Sequence, residues 1–241
     1  MMIGGSAIAL TADKVIEKGK LAASAFFEAA PQDIEFAQGQ FRIAGTDRSI
    51  GILDLAAKLR SGALSGRDLP PSLDHAQMSD AMAGVFPNGC HIAEVEIDPE
   101  TGVARFDRYV SVNDFGTVVN PLLVEGQIHG GVLQGIGQAL MEDARYDPDG
   151  QLQTGSFMDY AMPRAADAPN FAVLHHPVPT PSNALGAKGC GEAGCSGAIP
   201  AAVSAVLDAL ADMGVTEIDM PTTPLRIWHA IEAAKAARGA G

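Results

Sequence analysis

Cysteine, aromatic residues, basic charge and long apolar runs are all scarce in this sequence. Each scarcity narrows what the chain does. Three cysteines cannot close a disulfide framework, so a reducing compartment is expected and the location is expected to be cytoplasmic. Sixteen Lys and Arg against 29 Asp and Glu leave a net charge of −13. That is the wrong sign for tracking phosphates, and nucleic acid is not an expected partner. No apolar stretch is expected to reach membrane-spanning length. The N-terminal MMIGGSAIALTADK lacks the basic n-region and long apolar core of an export signal. No membrane partner is therefore expected. What the chain has is bulk and glycine: 241 residues, 47% hydrophobic, enough to bury a core, and 27 glycines beside 5% aromatics. Glycine collects where backbone must approach something closely, so its placement is the feature to follow.

Periodicity predicts an α+β fold of helices with antiparallel hairpins. From Ser6 to about Ala30, apolar residues Ile8, Ala12, Val15, Ile16, Ala22, Ala23 and Phe26 recur at helical spacing, with Ser6 as the expected N-cap. Alternating runs Ile34–Phe36 and Phe41–Ile43, joined through Gln38-Gly39, read as a hairpin, and a short helix is expected over Ile50–Leu59. Residues 61–90 lose periodicity and are rich in Gly, Pro, Ser and Asp. They are either an irregular excursion or a linker between lobes 1–60 and 91–241 of one domain, 1–241. Alternation returns from His91, turns at Pro99-Glu100-Thr101-Gly102 and continues to Val112, a second hairpin. A helix over Leu122–Met141, an extended Pro-rich stretch to Pro181, and helices over Ala201–Met213 and Pro224–Ala237 complete the reading. Helices and hairpins in this order argue against a wound βαβ sheet.

Two glycine segments carry the chemical interest. In LVEGQIHGGVLQGIGQALMED, Gly126, Gly130, Gly131, Gly135 and Gly137 are expected mostly on one side of a helix. Each interior glycine costs about 0.5–1 kcal/mol relative to Ala, so something must lie against that side. It is either another backbone or a bulky ligand, with the Gln127 amide near the first turn to hold it. The second segment, ALGAKGCGEAGCSGAIPAAVSAVLDAL, holds Gly189-x-Gly191-x-x-Gly194. This spacing matches a dinucleotide fingerprint, but no apolar strand precedes it and Asp208 falls within the next helix, so that reading fails. What remains is a glycine-lined loop presenting Lys188, Cys190, Glu192 and Cys195 before a helix. Two readings of Glu192 stand. A carboxylate shielded from water holds a proton more tightly and serves as a general base. Alternatively, it only complements the positive end of the helix that follows. Cys190 and Cys195, with Cys90 remote, do not match zinc-ligand spacing, and no protein-held metal is expected.

Taken together, EGQIHGGVLQGIGQAL, DYAMPRA, GAKGCGEAG and DMPTTPLRIWHAI resemble the C-terminal half of the molybdopterin-binding large subunit of xanthine dehydrogenases, aldehyde oxidases and aerobic carbon monoxide dehydrogenases. GGSAIALTADKVIEKGKLAA and HIAEVEIDPETGVARFDRYVSVNDFGTVVNP resemble earlier segments of the same half. The resemblance runs nearly end to end. It implies an oxidoreductase that uses molybdenum–molybdopterin, the cytosine dinucleotide form being one option, to oxidise an aldehyde, N-heterocycle or similar small molecule. It implies Glu192 as the catalytic base that takes a proton from the oxygen nucleophile. It implies Gln127, with Gly126 and Ile128, as a pterin contact, and Gly4, Gly5 and Ser6 as a second cofactor-facing loop. Lys188, Gly189, Cys190 and Gly191 are implied as the backbone that approaches the metal centre. In this family the metal is held by pterin sulfurs, so the missing ligand cluster is no objection. The family subunit continues upstream, which implies either one half of a split subunit, with a second polypeptide completing the molybdenum site, or a fragment of a longer or interrupted gene; iron–sulfur and flavin (FAD) subunits are implied beside it. The alternative is a truncated remnant or assembly subunit that binds no cofactor and catalyses nothing.

Overall fold

A computed structural model describes residues 1–66, 68–78 and 83–239. Of the irregular stretch 61–90, residues 67 and 79–82 therefore lie outside the described residues. The chain forms two compact units, Met1–Ala83 with Pro181–Leu185, and Gly84–Thr180 with Gly186–Gly241.

The first unit sets helix α1, Met2–Phe27, against a three-stranded antiparallel sheet and a short helix. The hairpin lies where the alternation put it: β1, Ile34–Ala37, pairs with β2, Gln40–Ile43. Gln38 and Gly39, at φ 51 and 75, make the two-residue turn. Two expectations are corrected here. Ile50 belongs to a third strand, β3, Ser49–Gly51, and helix α2 covers Ile52–Arg60. Ser6 is not an N-cap: α1 begins at Met2 and carries Gly4, Gly5 and Ser6 inside the helix. Packing overrides the low helix propensity of these glycines. A Cβ on Gly5 would lie 2.5 Å from Leu185, and one on Gly19 would overlap the ring of Phe41, which is fully buried. The core gathers Ala22, Ala23, Phe27, Ile34, Phe41 and Leu55.

The second unit lays helices on one face of a mixed sheet. Strands β4, Asn88–Ile97, and β5, Ala104–Asp114, form the expected antiparallel hairpin. The turn is held by Asp98, whose carboxylate accepts from Glu100 N at 2.9 Å and Thr101 Oγ1 at 2.8 Å. Strand β6, Asn170–His175, lies in the extended stretch and pairs with β5 in parallel, from Arg108↔Asn170 to Asn113↔His175. The α+β class holds, but this sheet is not purely antiparallel. A long crossover through helix α3, Pro121–Leu140, makes the parallel pairing possible.

Asn120 caps α3 by accepting from Leu123 N, and Pro121 sits at its first position. At the other end Thr222 donates to Ala139 O through both N, 2.6 Å, and Oγ1, 3.0 Å. Helix α4 starts at Cys195, not Ala201, and runs to Leu210. With the 3-10 turn that follows, Cys195–Met213 becomes 19 residues of mean hydropathy 1.3, long and apolar enough to cross a membrane by length and composition. The expectation of no such stretch is thereby corrected. In the fold, Ala198, Ala202, Val206 and Leu210 form an i, i+4 stripe at 0% exposure. That stripe joins Ile128, Val132 and Ile136 of α3 and Ile227 and Ile231 of helix α5, Pro224–Gly239, in the core.

Candidate functional site

The glycines of α3 do not share one side. Gly131 faces the backbone of the loop that enters α4, where a Cβ would overlap Ala193 O. Gly135 faces Ala198 Cβ and Cys195 O, at 2.6 and 3.1 Å from a notional Cβ. Gly194 answers from the loop. Its φ of +87 disfavours any L side chain, and a Cβ there would lie 2.6 Å from Ile128 O. Loop and helix are therefore locked backbone to backbone. Gly126 and Gly130, on another stripe, have nothing within 4 Å of a notional Cβ, and the same holds for Gly189 and Gly191.

Gln127 connects these open positions. Its Nε2 donates to Gly191 O at 2.7 Å, tying the first turns of α3 to the residue before Glu192. The loop is further shaped by Ala193 N donating to Cys190 O, 3.1 Å, and Ser196 N donating to Glu192 O, 3.3 Å. Glu192 is exposed and lies on the rim of an open cleft of about 360 Å³ whose other walls include Phe86, Gly89, His91, Asn113 and Ser196. The dry cavity that would sharpen a general base is not supplied by this chain alone.

The cleft walls include polar residues that sequence patterning missed. His91 Nδ1 shares a 2.7 Å hydrogen bond with Tyr109 Oη. Burial pushes the His91 imidazole below its usual range and the Tyr109 phenol above its own. Asn113, 3% exposed, donates from Nδ2 to Ser111 Oγ at 3.1 Å. The available signal was the break in alternation: Ser111 and Asn113 occupy the inward positions of β5 between Val110, Val112 and Asp114.

Other expected site residues are placed differently. The Lys188 side chain is held in an ion pair, which leaves its backbone for the expected role. Its Nζ meets Asp114 Oδ2 at 2.5 Å, with the two side chains 11% and 13% exposed. Burial alone would raise the Asp114 carboxyl, but Lys188 and the N–H groups of Gly116 and Val178 hold it well below the usual carboxylate range. The Ile128 side chain is fully buried in the core, which leaves only its backbone to serve a ligand. Cys190 is half-buried against the same core. His129 stacks on Phe171 with ring centroids 4.7 Å apart, a packing role. In the first unit, Gly4 is open to solvent, and Ser6 Oγ is buried with no hydrogen-bond partner. Gly4, Gly5 and Ser6 form a helical turn and not a loop. Among the described residues no group of three His, Cys, Asp or Glu side chains is placed to hold a metal.

Known proteins resemble this chain over nearly its whole length. Residues 1–169 match the family described as the molybdopterin cofactor-binding domain. The carbon monoxide dehydrogenase large chain of Hydrogenophaga pseudoflava is 33% identical over 95% of this chain and 28% of its own length. The 6-hydroxypseudooxynicotine dehydrogenase complex subunit gamma of Paenarthrobacter nicotinovorans is 39% identical over 94% of this chain and 29% of its own. Among solved structures, quinoline 2-oxidoreductase from Pseudomonas putida 86 matches with a TM-score of 0.88 and 36% identity, over 96% of this chain and 30% of that one. The chain thus spans less than a third of the length of these curated relatives, at 28% and 29%.

Proposed function

Because the chain belongs to the molybdopterin cofactor-binding family of molybdenum-hydroxylase large subunits, we propose that it forms the part of such a subunit that carries the catalytic base, Glu192. The observation that carries this reading is the Gln127–Gly191 hydrogen bond at 2.7 Å. It ties Gly191, the residue before Glu192, to the helix that carries Gly126 and Gly130, and among the described residues no atom lies within 4 Å of a notional Cβ at these three glycines or at Gly189. A cradle of bare backbone beside an amide suits a flat, hydrogen-bonding group such as a pterin. The unpaired hydroxyl of Ser6, at 0% exposure, marks a second place where a polar partner is missing. The residues present therefore fit the cofactor.

In this reading the Gln127 carbonyl oxygen and remaining amide proton, with the backbone of Gly189 and Gly191, hold the pterin. The cytosine dinucleotide form is the extended variant of the cofactor in this proposal. When bound, the cofactor supplies the redox centre that accepts two electrons from an aldehyde, an N-heterocycle or a similar small molecule. Glu192 takes a proton from the water-derived nucleophile, and a covering polypeptide excludes bulk water from it. That second polypeptide completes the molybdenum site, and iron–sulfur and flavin subunits carry the electrons away. A cytoplasmic setting suits the three free thiols.

The test is co-expression with the polypeptides that complete the enzyme, followed by metal and pterin analysis and turnover assays. Wild-type complex should contain molybdenum and pterin. Glu192→Gln should keep both and lose turnover by about 10³-fold. A well-formed complex without molybdenum and pterin would refute the reading and leave an assembly subunit that binds no cofactor.

A further inference from the structure

Among the described residues, the β4–β5–β6 sheet packs its helix side into the core and leaves apolar residues of the opposite face outside it. Register places Ile92, Val110 and Ala172 in one cross-strand row and Cys90, Val112 and Leu174 in the next. Directly opposed residues share a face, so these six side chains lie together. They alternate with Tyr109, Ser111 and Asn113, which are buried. None of the six joins either hydrophobic core. Ile92 and Leu174 are 56% and 55% exposed, and Cys90 is exposed. The patch ends at an ion pair, Arg108 Nη1 to Glu94 Oε1 at 3.6 Å. Beside it, β4 is an edge strand of ten residues whose outer backbone groups have no strand partner among the described residues.

Length and charge say what covers this face. The relatives are more than three times longer, since this chain spans 28% and 29% of them. Most of the polypeptide that surrounds such a domain is therefore outside this chain. The rim cation, Arg108, is already paired, and the chain's net charge is −13, which disfavours anionic lipid or nucleic acid. Two aliphatic rows on a pleated surface resemble the interior of an obligate protein interface.

We propose that this sheet face, the rows Cys90–Val112–Leu174 and Ile92–Val110–Ala172, is the docking surface for the polypeptide that carries the rest of the molybdenum subunit. The inference rests on reading the chain as part of such a subunit. It does not depend on cofactor loading.

Cys90 is a built-in probe. The full chain is treated with N-ethylmaleimide alone and in complex with the remainder of the subunit expressed as a separate polypeptide, and labelling of each cysteine is followed by mass spectrometry. Cys90 should label readily in the free chain and at least about tenfold more slowly in the complex, because access controls thiol reactivity. Ile92→Lys/Leu174→Lys should weaken the complex by about 100-fold, the loss typical of a desolvated interface centre. Leu53→Lys, at a position 81% exposed in the other unit, should not weaken it. Equal labelling of Cys90 in the complex, wild-type affinity in the double variant, or no complex between the two polypeptides overturns the proposal. So does a dimer of this chain that the double variant disperses, since a second copy would then own the face. If the double variant lowers the chain's own urea midpoint, Cys90 protection decides alone. A complex that protects Cys90 but holds no molybdenum refutes the proposed function and leaves the docking face standing. A loaded complex with Cys90 unprotected does the reverse.

Discussion

Two stripes of one helix show opposite uses of the same residue. On α3, Gly131 and Gly135 are buried and touch the backbone of the loop and helix beyond Ala193. One turn away, Gly126 and Gly130 are exposed and touch nothing. The first pair earns its helix-propensity cost within the chain by letting two backbones meet. The second pair has no such return from this chain. An uncompensated cost at two positions, next to Gln127 and its bond to Gly191, is what the proposed cofactor cradle requires. A glycine-rich helix is therefore not one signal but two, and only the contacts separate them.

The comparison breaks most visibly at Gly131. Gly131→Val drives a branched side chain into Ala193 O, and overpacking of this kind should cost about 3 kcal/mol. The measurement is the urea midpoint of the isolated chain. A midpoint equal to wild type would show that the loop is not locked to α3.

The next effect comes from the ion pair that anchors the loop's other end. Asp114→Asn leaves the Lys188 ammonium, 11% exposed, without its counter-charge and should destabilise the chain at neutral pH. The pH dependence has a definite sign. The native Asp114 carboxyl is held below its unfolded value, so its contribution is complete above the unfolded pKa of about 4 and is lost as pH falls further. Urea unfolding at pH 5 and pH 3 should show the wild type losing this contribution, while the variant loses correspondingly less. Parallel losses in both proteins would remove Asp114 from the account.

Gly126→Ala and Gly130→Ala sharpen the comparison from the other side. With nothing within 4 Å, each should stabilise the isolated chain by about 0.5–1 kcal/mol. In the reconstituted complex the same variants should lower pterin content. Destabilisation of the isolated chain would mean that the open stripe is already occupied by this chain's own atoms. The smallest effect is expected for Gln127→Ala, which removes one exposed hydrogen bond of about 0.5–1 kcal/mol. Amide hydrogen exchange at Glu192 and Ala193 should speed up while the global unfolding midpoint barely moves. Unchanged exchange would show that the loop needs no tether.

Much of the fold was legible in the chain itself. Both hairpins lie where alternation placed them, because a two-residue turn at Gln38-Gly39 is a local signal, and α3 covers nearly the expected Leu122–Met141. Local signals failed where distant contacts decided. Ser6 looked like a cap and became the interior of α1, because Leu185 packs on Gly5 and offsets two poor helix formers. The start of α4 at Cys195 was hidden behind Gly194, which is non-helical and seats against Ile128 O of α3, and Gly197, which lies inside the helix against the ring of His91. Strand β6 looked merely extended, since a parallel partner can only come from far along the chain.

The candidate site divides in the same way. Which residues are chemically able to serve it, Glu192 and Gln127 among glycines, was determined by the sequence by itself, since side-chain chemistry and spacing need no partner. Which of them are free to serve it was decided only by the tertiary structure. Lys188 is committed to Asp114, Ile128 to the core and Gly131 to Ala193, while Gly126, Gly130 and Glu192 remain uncovered. The physical reason is that chemistry belongs to a residue, but availability depends on what burial and hydrogen bonding elsewhere in the chain have already claimed.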